Sequence, residues 1–301
     1  MISFSAPGKI HLLGEHAVVY GKPAVLAAID LRVHVKISPS RHADLNKESD
    51  SLKKIIEPIV KKELKIKKIP PYDLKILSEI PVGSGLGSSA AVSSAYIAAI
   101  LSFLNVKWNL ELVNNLAYEA EKVFHGNPSG ADNFVVVYGG VVWFHKQTEP
   151  VKLSSQIKQF MLIDSGKPVE STKEMVEKVR IKLQESRIEV QKIFDDQERL
   201  VKELVVALKD GNQNQLISII RQGEKNLESL GVVGRKAQNI IRLVEKTGGV
   251  AKISGAGGVK SGSGMLLCYH PHPKTLLSFT KTHYLPTLSI ALGEKGLLLC
   301  R

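Results

Sequence analysis

Only two cysteines, Cys268 and Cys300, occur in 301 residues. A disulfide framework is therefore excluded as the organising principle, and a reducing compartment is the default expectation. Cysteine ligation of a metal is equally unsupported. Histidine does not fill that gap, because His11 with His16 and His270 with His272 lack matching ligands at metal-site spacing. Long apolar runs are also missing. The most apolar window, Ala90 to Leu104, is broken by serines and too short to span a bilayer. Met1 to Pro7 has neither the basic region nor the apolar segment of a signal peptide, so a cytoplasmic protein without membrane association is expected. Internal repeats and low-complexity linkers are absent.

Negative charge is the last shortage, with 41 Lys and Arg against 29 Asp and Glu, a net charge of +12. Such a balance favours anionic partners: nucleic acid, acidic membranes or phosphorylated metabolites. Much of the excess lies between Lys53 and Lys75, where Ile55, Ile56, Ile59 and Val60 fall at helical spacing. The segment reads as an amphipathic helix with a solvated basic face. No arginine–aromatic interleaving or RNA-recognition motif supports a nucleic-acid surface. A lysine- and glutamate-rich surface also accompanies life at high temperature.

The length suggests two domains, and 44% hydrophobic with 23% charged residues is the composition of an ordinary globular chain. The most informative stretch is Pro81-Val-Gly-Ser-Gly-Leu-Gly-Ser-Ser-Ala-Ala91. Gly83, Gly85 and Gly87 alternate, then Ser88 and Ser89 open a small-residue helix reaching about Leu104. Glycines let backbone N–H groups approach a ligand closely. A glycine loop entering a helix aims unpaired N–H groups and the positive dipole end at one point. That is an anion site suited to a nucleotide polyphosphate, although no lysine precedes the serines as a standard P-loop requires. A serine-capped turn is the structural alternative.

Around this loop, Ile2–Ser5 reads as a strand entering Ala6-Pro-Gly-Lys9-Ile-His-Leu-Leu-Gly-Glu15-His16, a punctuated strand-and-loop region with clustered ionisable residues. Ala24–Ile29, Arg32–Ile37 and Leu74–Leu77 read as strands, and Leu110–Phe124 as a helix carrying Glu119 and Glu121. His125-Gly-Asn-Pro-Ser-Gly-Ala-Asp132-Asn133 is dense in turn formers, and its aspartate precedes the apolar run Phe134–Tyr138. Asp132 is therefore expected half-buried and in need of partners, an Asx turn being the structural alternative. Strands follow at Val141–Phe144 and Phe160–Asp164, and Ser171 with Glu174 forms a capping box. One long helical stretch then runs to about Asp210, with further helices at Gln213–Gly231 and Arg235–Thr247. A second glycine segment, Lys252-Ile-Ser-Gly-Ala-Gly-Gly-Val-Lys-Ser-Gly-Ser-Gly264, leads into the strand Met265–Tyr269, and Leu297–Leu299 is a last strand. Helix pairs against a few strands make the chain α+β.

Three segments together resemble the GHMP kinases: Ala6–Val25, the Pro81–Ala91 loop and Ser254-Gly-Ala-Gly-Gly258. Within that family, the first segment and His125–Asn133 are most similar to the mevalonate kinase branch. The resemblance covers most of the chain. It implies an N-terminal α/β domain over 1–155, a ferredoxin-like C-terminal domain over 156–301, and a site in the cleft between. The implied reaction is ATP- and Mg²⁺-dependent phosphorylation of the C5 hydroxyl of mevalonate, in isoprenoid biosynthesis. Carried over by position, Pro81, Val82, Gly83, Ser84, Gly85, Leu86, Gly87, Ser88, Ser89, Ala90 and Ala91, with Gly255 and Gly257, bind ATP. Ser89 (or Ser88) and Glu121 match the magnesium positions, which suits a hard cation that takes oxygen ligands. Asp132 matches the general base, and Lys9 the lysine that lowers the hydroxyl's pKa. Glu15, His16 and Thr172 match positions beside the substrate. A homodimer is common in the family.

The third segment departs from the family pattern at Val259–Gly264, which is a few residues longer, with Lys260 as a candidate extra charge beside the phosphates. The alternatives are a kinase of a neighbouring substrate, phosphomevalonate or another hydroxy acid, and an RNA-binding protein reusing the fold without catalysis.

Overall fold

The first strand runs further than its punctuation suggests. The computed structural model describes residues 1–40, 47–81, 83–126 and 128–300. Val82 and Asn127, both within motifs quoted above, lie outside the described residues. Strand β1 spans Ile2–Leu13 straight through Pro7 and Gly8. Those two residues sit at a bulge, where Pro7 faces Arg32 but Gly8 faces Ile29. The same bulge joins the two strands expected at Ala24–Ile29 and Arg32–Ile37 into one, β2 (Ala24–Pro39). Helix α1 (Lys47–Leu64) and strand β3 (Tyr72–Ser78) follow, and β3 pairs with the far half of β2.

Helix α2 (Ser88–Phe103) has no polar stripe, and its residues from Ala95 to Leu101 are all fully buried. A helix apolar on every side must lie inside the molecule. It packs on β1 and β2 beneath α3 (Leu110–His125) and α4 (Ala131–Tyr138). The run Phe134–Tyr138 is thus helical despite its β-branched valines. Val135, Val136 and Val137 are buried against neighbours, and packing overrides their local preference. Strands β4 (Val141–Phe144) and β5 (Val151–Leu153) extend the first sheet on the far side of β2.

The second sheet begins with β6 (Gln159–Asp164). The long helical stretch is broken at Ser186 into α5 (Thr172–Glu185) and α6 (Arg187–Asp210). After α7 (Gln213–Leu230) and α8 (Arg235–Lys246) come β7 (Val250–Ile253) and β8 (Met265–Tyr269). Helix α9 (Pro273–Thr282) leads to β9 (Thr287–Ala291). The order β7-β8-β6-β9, antiparallel throughout, is the ferredoxin-like split βαβ arrangement. Strand β10 (Leu298–Leu299) returns to β1, so the first sheet holds both the first and the last strand.

Helices α6 and α7 tie the halves together. Leu200, Leu204 and Ile220 pack into a core shared by residues of both sheets, whereas Phe194, Leu227 and Leu230 belong to a separate core that draws its strand residues from the second sheet. Segments from both halves line a common cleft. Among the described residues, no helix is long and apolar enough to cross a membrane.

Candidate active site

Strand alternation sets the first half of the site. Ile10 and Leu12 point into the core, so Lys9 and His11 point the other way, two residues apart on one face. Both reach Asp132, which lies in the first turn of α4. Lys9 Nζ is 3.0 Å from Asp132 Oδ2, and His11 Nε2 is 3.2 Å from Oδ1. Lys9 is buried, while the Asp132 side chain keeps 32% of its surface exposed. Burial works to raise the Asp132 pKa, but the Lys9 ammonium and the His11 hydrogen bond outweigh it and hold the carboxyl far below its usual range. Burial, with the Lys9 charge, pushes the His11 pKa down, and its Nε2 donates to the aspartate.

The glycine loop closes over this pair. Leu86 O accepts from Lys9 N at 2.9 Å, and a Cβ on Gly87 would fall 2.6 Å from Lys9 Cγ. At Gly85 (φ +81°) a Cβ would meet Ser254 O at 2.3 Å. The two glycine segments are thus in backbone contact, which only residues without side chains permit. Gly87, left-handed, caps α2, whose N-terminus faces the cleft.

Glu121 stands on the last turns of α3 with Ser89 and His125 beside it. His125 Nε2 is 3.2 Å from Ser89 Oγ and 3.5 Å from Glu121 Oε2. Glu121 is buried and its Oε1 has no hydrogen-bond partner. Burial, helped by the nearby Asp132 charge, pushes the Glu121 pKa up to about 7, against the pull of Ser89 and Lys9. An orphaned buried carboxylate oxygen beside a hydroxyl suits a hard divalent cation that completes its shell with phosphate oxygens and water. Among the described residues, no group of three or more His, Cys, Asp or Glu is arranged to hold a metal. Because protons compete for the same oxygen, apparent Mg²⁺ affinity should weaken as pH falls from 8 to 6. Glu121→Gln should bind Mg²⁺ weakly with that pH dependence gone. An unchanged titration in the variant would take Glu121 out of the metal shell.

These groups line one cleft of about 850 Å³. It holds Lys9, Glu15, His16, Gly83 to Ser89, Glu121, Asp132, Thr172 and Gly255. Gly257 lines the adjoining hollow instead. Pro81 lies outside both, its carbonyl accepting from Ser84 Oγ at 2.6 Å. Ala90 and Ala91 are fully buried in the core, because α2 enters the molecule within its first turn. His16 Nε2 bonds Ala256 O at 3.0 Å, while Glu15 turns inward to the buried Lys252. Lys260 lines neither hollow. Its N–H donates to Glu170 Oε1 at 3.0 Å, so Val259–Gly264 folds away from the main cleft.

Three participants carried no assigned role at the level of sequence: His11, His125 and Lys252. The usable signal for His11 was its two-residue spacing from Lys9 on one strand.

The family described as GHMP kinases N terminal domain matches residues 50–140. The mevalonate kinase of Archaeoglobus fulgidus is 36% identical over 261 residues, spanning 84% of this chain and 88% of that protein. Among solved structures, the Methanococcus jannaschii mevalonate kinase superposes with a TM-score of 0.80 at 21% identity, over 97% of this chain and 98% of that one. The L. major mevalonate kinase in complex with R-mevalonate also gives 0.80 at 21% identity, over 97% and 96%. The chain belongs to the GHMP kinases, in their mevalonate kinase branch.

Proposed function

We propose that this chain transfers the γ-phosphoryl group of ATP to the C5 hydroxyl of mevalonate. The observation that carries the chemistry is the Lys9–Asp132–His11 cluster set beside a glycine loop at a helix N-terminus. The identity of the acceptor is supported by the mevalonate kinase relatives.

In this reading the loop from Gly83 to Ser89 offers backbone N–H groups to the polyphosphate. Asp132, held anionic, accepts a hydrogen bond from the acceptor hydroxyl and orients it. The proton moves to Asp132 as the oxygen–phosphorus bond forms and the bond to the β-phosphate oxygen breaks, its electron pair leaving with ADP. A carboxylate held this low is a weak base. Most of the rate gain therefore comes from positioning and charge stabilisation, with Lys9 supplying charge next to the reacting oxygen. Glu121 and Ser89 would hold magnesium, which supplies neutralisation of the phosphate charge when bound. His16 and Thr172, which line the cleft, would contact the acceptor in this reading. The division at 155 and 156 is supported by the partition of β1–β5 and β6–β9 between two sheets, with β10 alone crossing back to the first.

The test is ATP consumption by the purified protein with Mg²⁺ and mevalonate, run beside phosphomevalonate, homoserine and galactose. Turnover with mevalonate alone is expected. Activity only on a neighbouring substrate would keep the site and overturn the acceptor. Salt-sensitive RNA binding without any turnover would favour the non-catalytic alternative.

A further inference from the structure

The glycine loop is a partition between two hollows. Gly83, Ser84 and Gly85 line the main cleft on one side and a smaller hollow of about 350 Å³ on the other. Lys167 lies on that second side, against the partition. A Cβ on Gly83 (φ +75°) would come within 3.0 Å of Lys167 Cε and 3.7 Å of its Nζ. Among the described residues, this ammonium has no hydrogen-bond or ion-pair partner. Of the other cations lining the main cleft, Lys9 is committed to Asp132 at 3.0 Å and Arg180 to Glu177 at 2.7 Å, while Lys173 lines that cleft but not the smaller hollow behind Gly83.

The turn that carries Lys167 is braced by the stretch in which the third glycine segment departs from its family pattern. Ser261 Oγ donates to Lys167 O at 2.9 Å, and Gly264 N to Gly166 O at 3.0 Å. Ser165 Oγ donates to Gly264 O at 2.7 Å and receives Ser263 N at 2.9 Å. Gly262 lies so close that a Cβ there would fall 1.9 Å from Gly166 O. The extra residues therefore leave the main cleft and grip the neighbouring turn.

We propose that Lys167 is a phosphate-binding cation of this site, reaching across Gly83 to the polyphosphate of ATP, and that Val259–Gly264 holds its turn in place. Backbone N–H groups offer only partial charges to a polyanion. A lysine is a point charge on a flexible stem, and an unpaired one binds phosphate without giving up an existing partner. The proposal rests on the kinase reading above.

The test compares ATP and adenosine binding to the wild type, Lys167→Met, Lys167→Arg and Ser261→Ala by calorimetry. ATP affinity should fall about tenfold or more in Lys167→Met, the size of one charge-assisted hydrogen bond, and largely return in Lys167→Arg. Ser261→Ala should show a smaller loss of the same kind, and adenosine affinity should stay constant throughout. ATP binding by Lys167→Met at wild-type strength overturns the proposal, as does an equal loss of adenosine. A wild-type protein that binds no ATP overturns the kinase reading together with it.

Discussion

Lys9→Met and Asp132→Asn should each lower kcat by about 10²–10⁴-fold while the protein still unfolds cooperatively. Methionine keeps the volume of the Lys9 stem, which packs beneath Gly87, and removes only the charge. Asp132 then loses the ammonium that holds it low but keeps His11 and its exposed edge. Asparagine keeps an acceptor oxygen for Lys9 or His11 and removes the negative charge that orients a hydroxyl. Both variants thus separate chemistry from folding. Steady-state turnover beside a thermal melt reads the two effects independently. Wild-type turnover from either would remove that residue from the reaction.

Lys252→Met should cost about 3–5 kcal/mol of stability, a fall in Tm of about 10 °C. Lys252 is fully buried and donates to Glu15, to Ile253 O at 2.6 Å and to His11 O at 3.4 Å. It therefore ties β7 of the second sheet to the end of β1 in the first. Removing the cation leaves the Glu15 carboxylate buried without its counter-charge, which costs more than the pair contributes. Glu224 stands nearby, its Oε2 accepting from Ile253 N at 3.0 Å. Burial pushes the Glu224 pKa up to about 8 against the pull of Lys252, so loss of the lysine drives it higher. A Lys252→Met, Glu15→Gln double variant should regain much of the loss, because no uncompensated charge then stays inside. Denaturation midpoints decide the matter. A single variant as stable as wild type would show that the pair contributes nothing to joining the sheets.

Particular residues show how far the chain could be read directly. The glycine loop, the Ser171 capping box and the apolar helix after Ser88 were legible because each depends on local backbone chemistry. Ser171 Oγ does accept from Glu174 N, at 3.2 Å. The fusion of two strands into β2 was not legible, because the bulge that joins them depends on pairing with β1. The break at Ser186 was hidden for a related reason. Hydrophobic spacing continues across it, and only the packing of α6 on α7 gives the second segment its own direction.

Local chemistry, then, determined the phosphate loop, the element types and the set of ionisable residues, since glycine freedom, capping and periodicity act within a few residues. The tertiary structure alone decided which of those residues meet. Lys9 and Asp132 are far apart in the chain, yet they lie 3.0 Å apart because β1 and α4 pack on the same buried helix. It likewise turned Glu15 inward to Lys252 and Val259–Gly264 away from the main cleft. Contacts of that kind arise from the burial of shared apolar surface, a property of the whole chain that no single motif encodes.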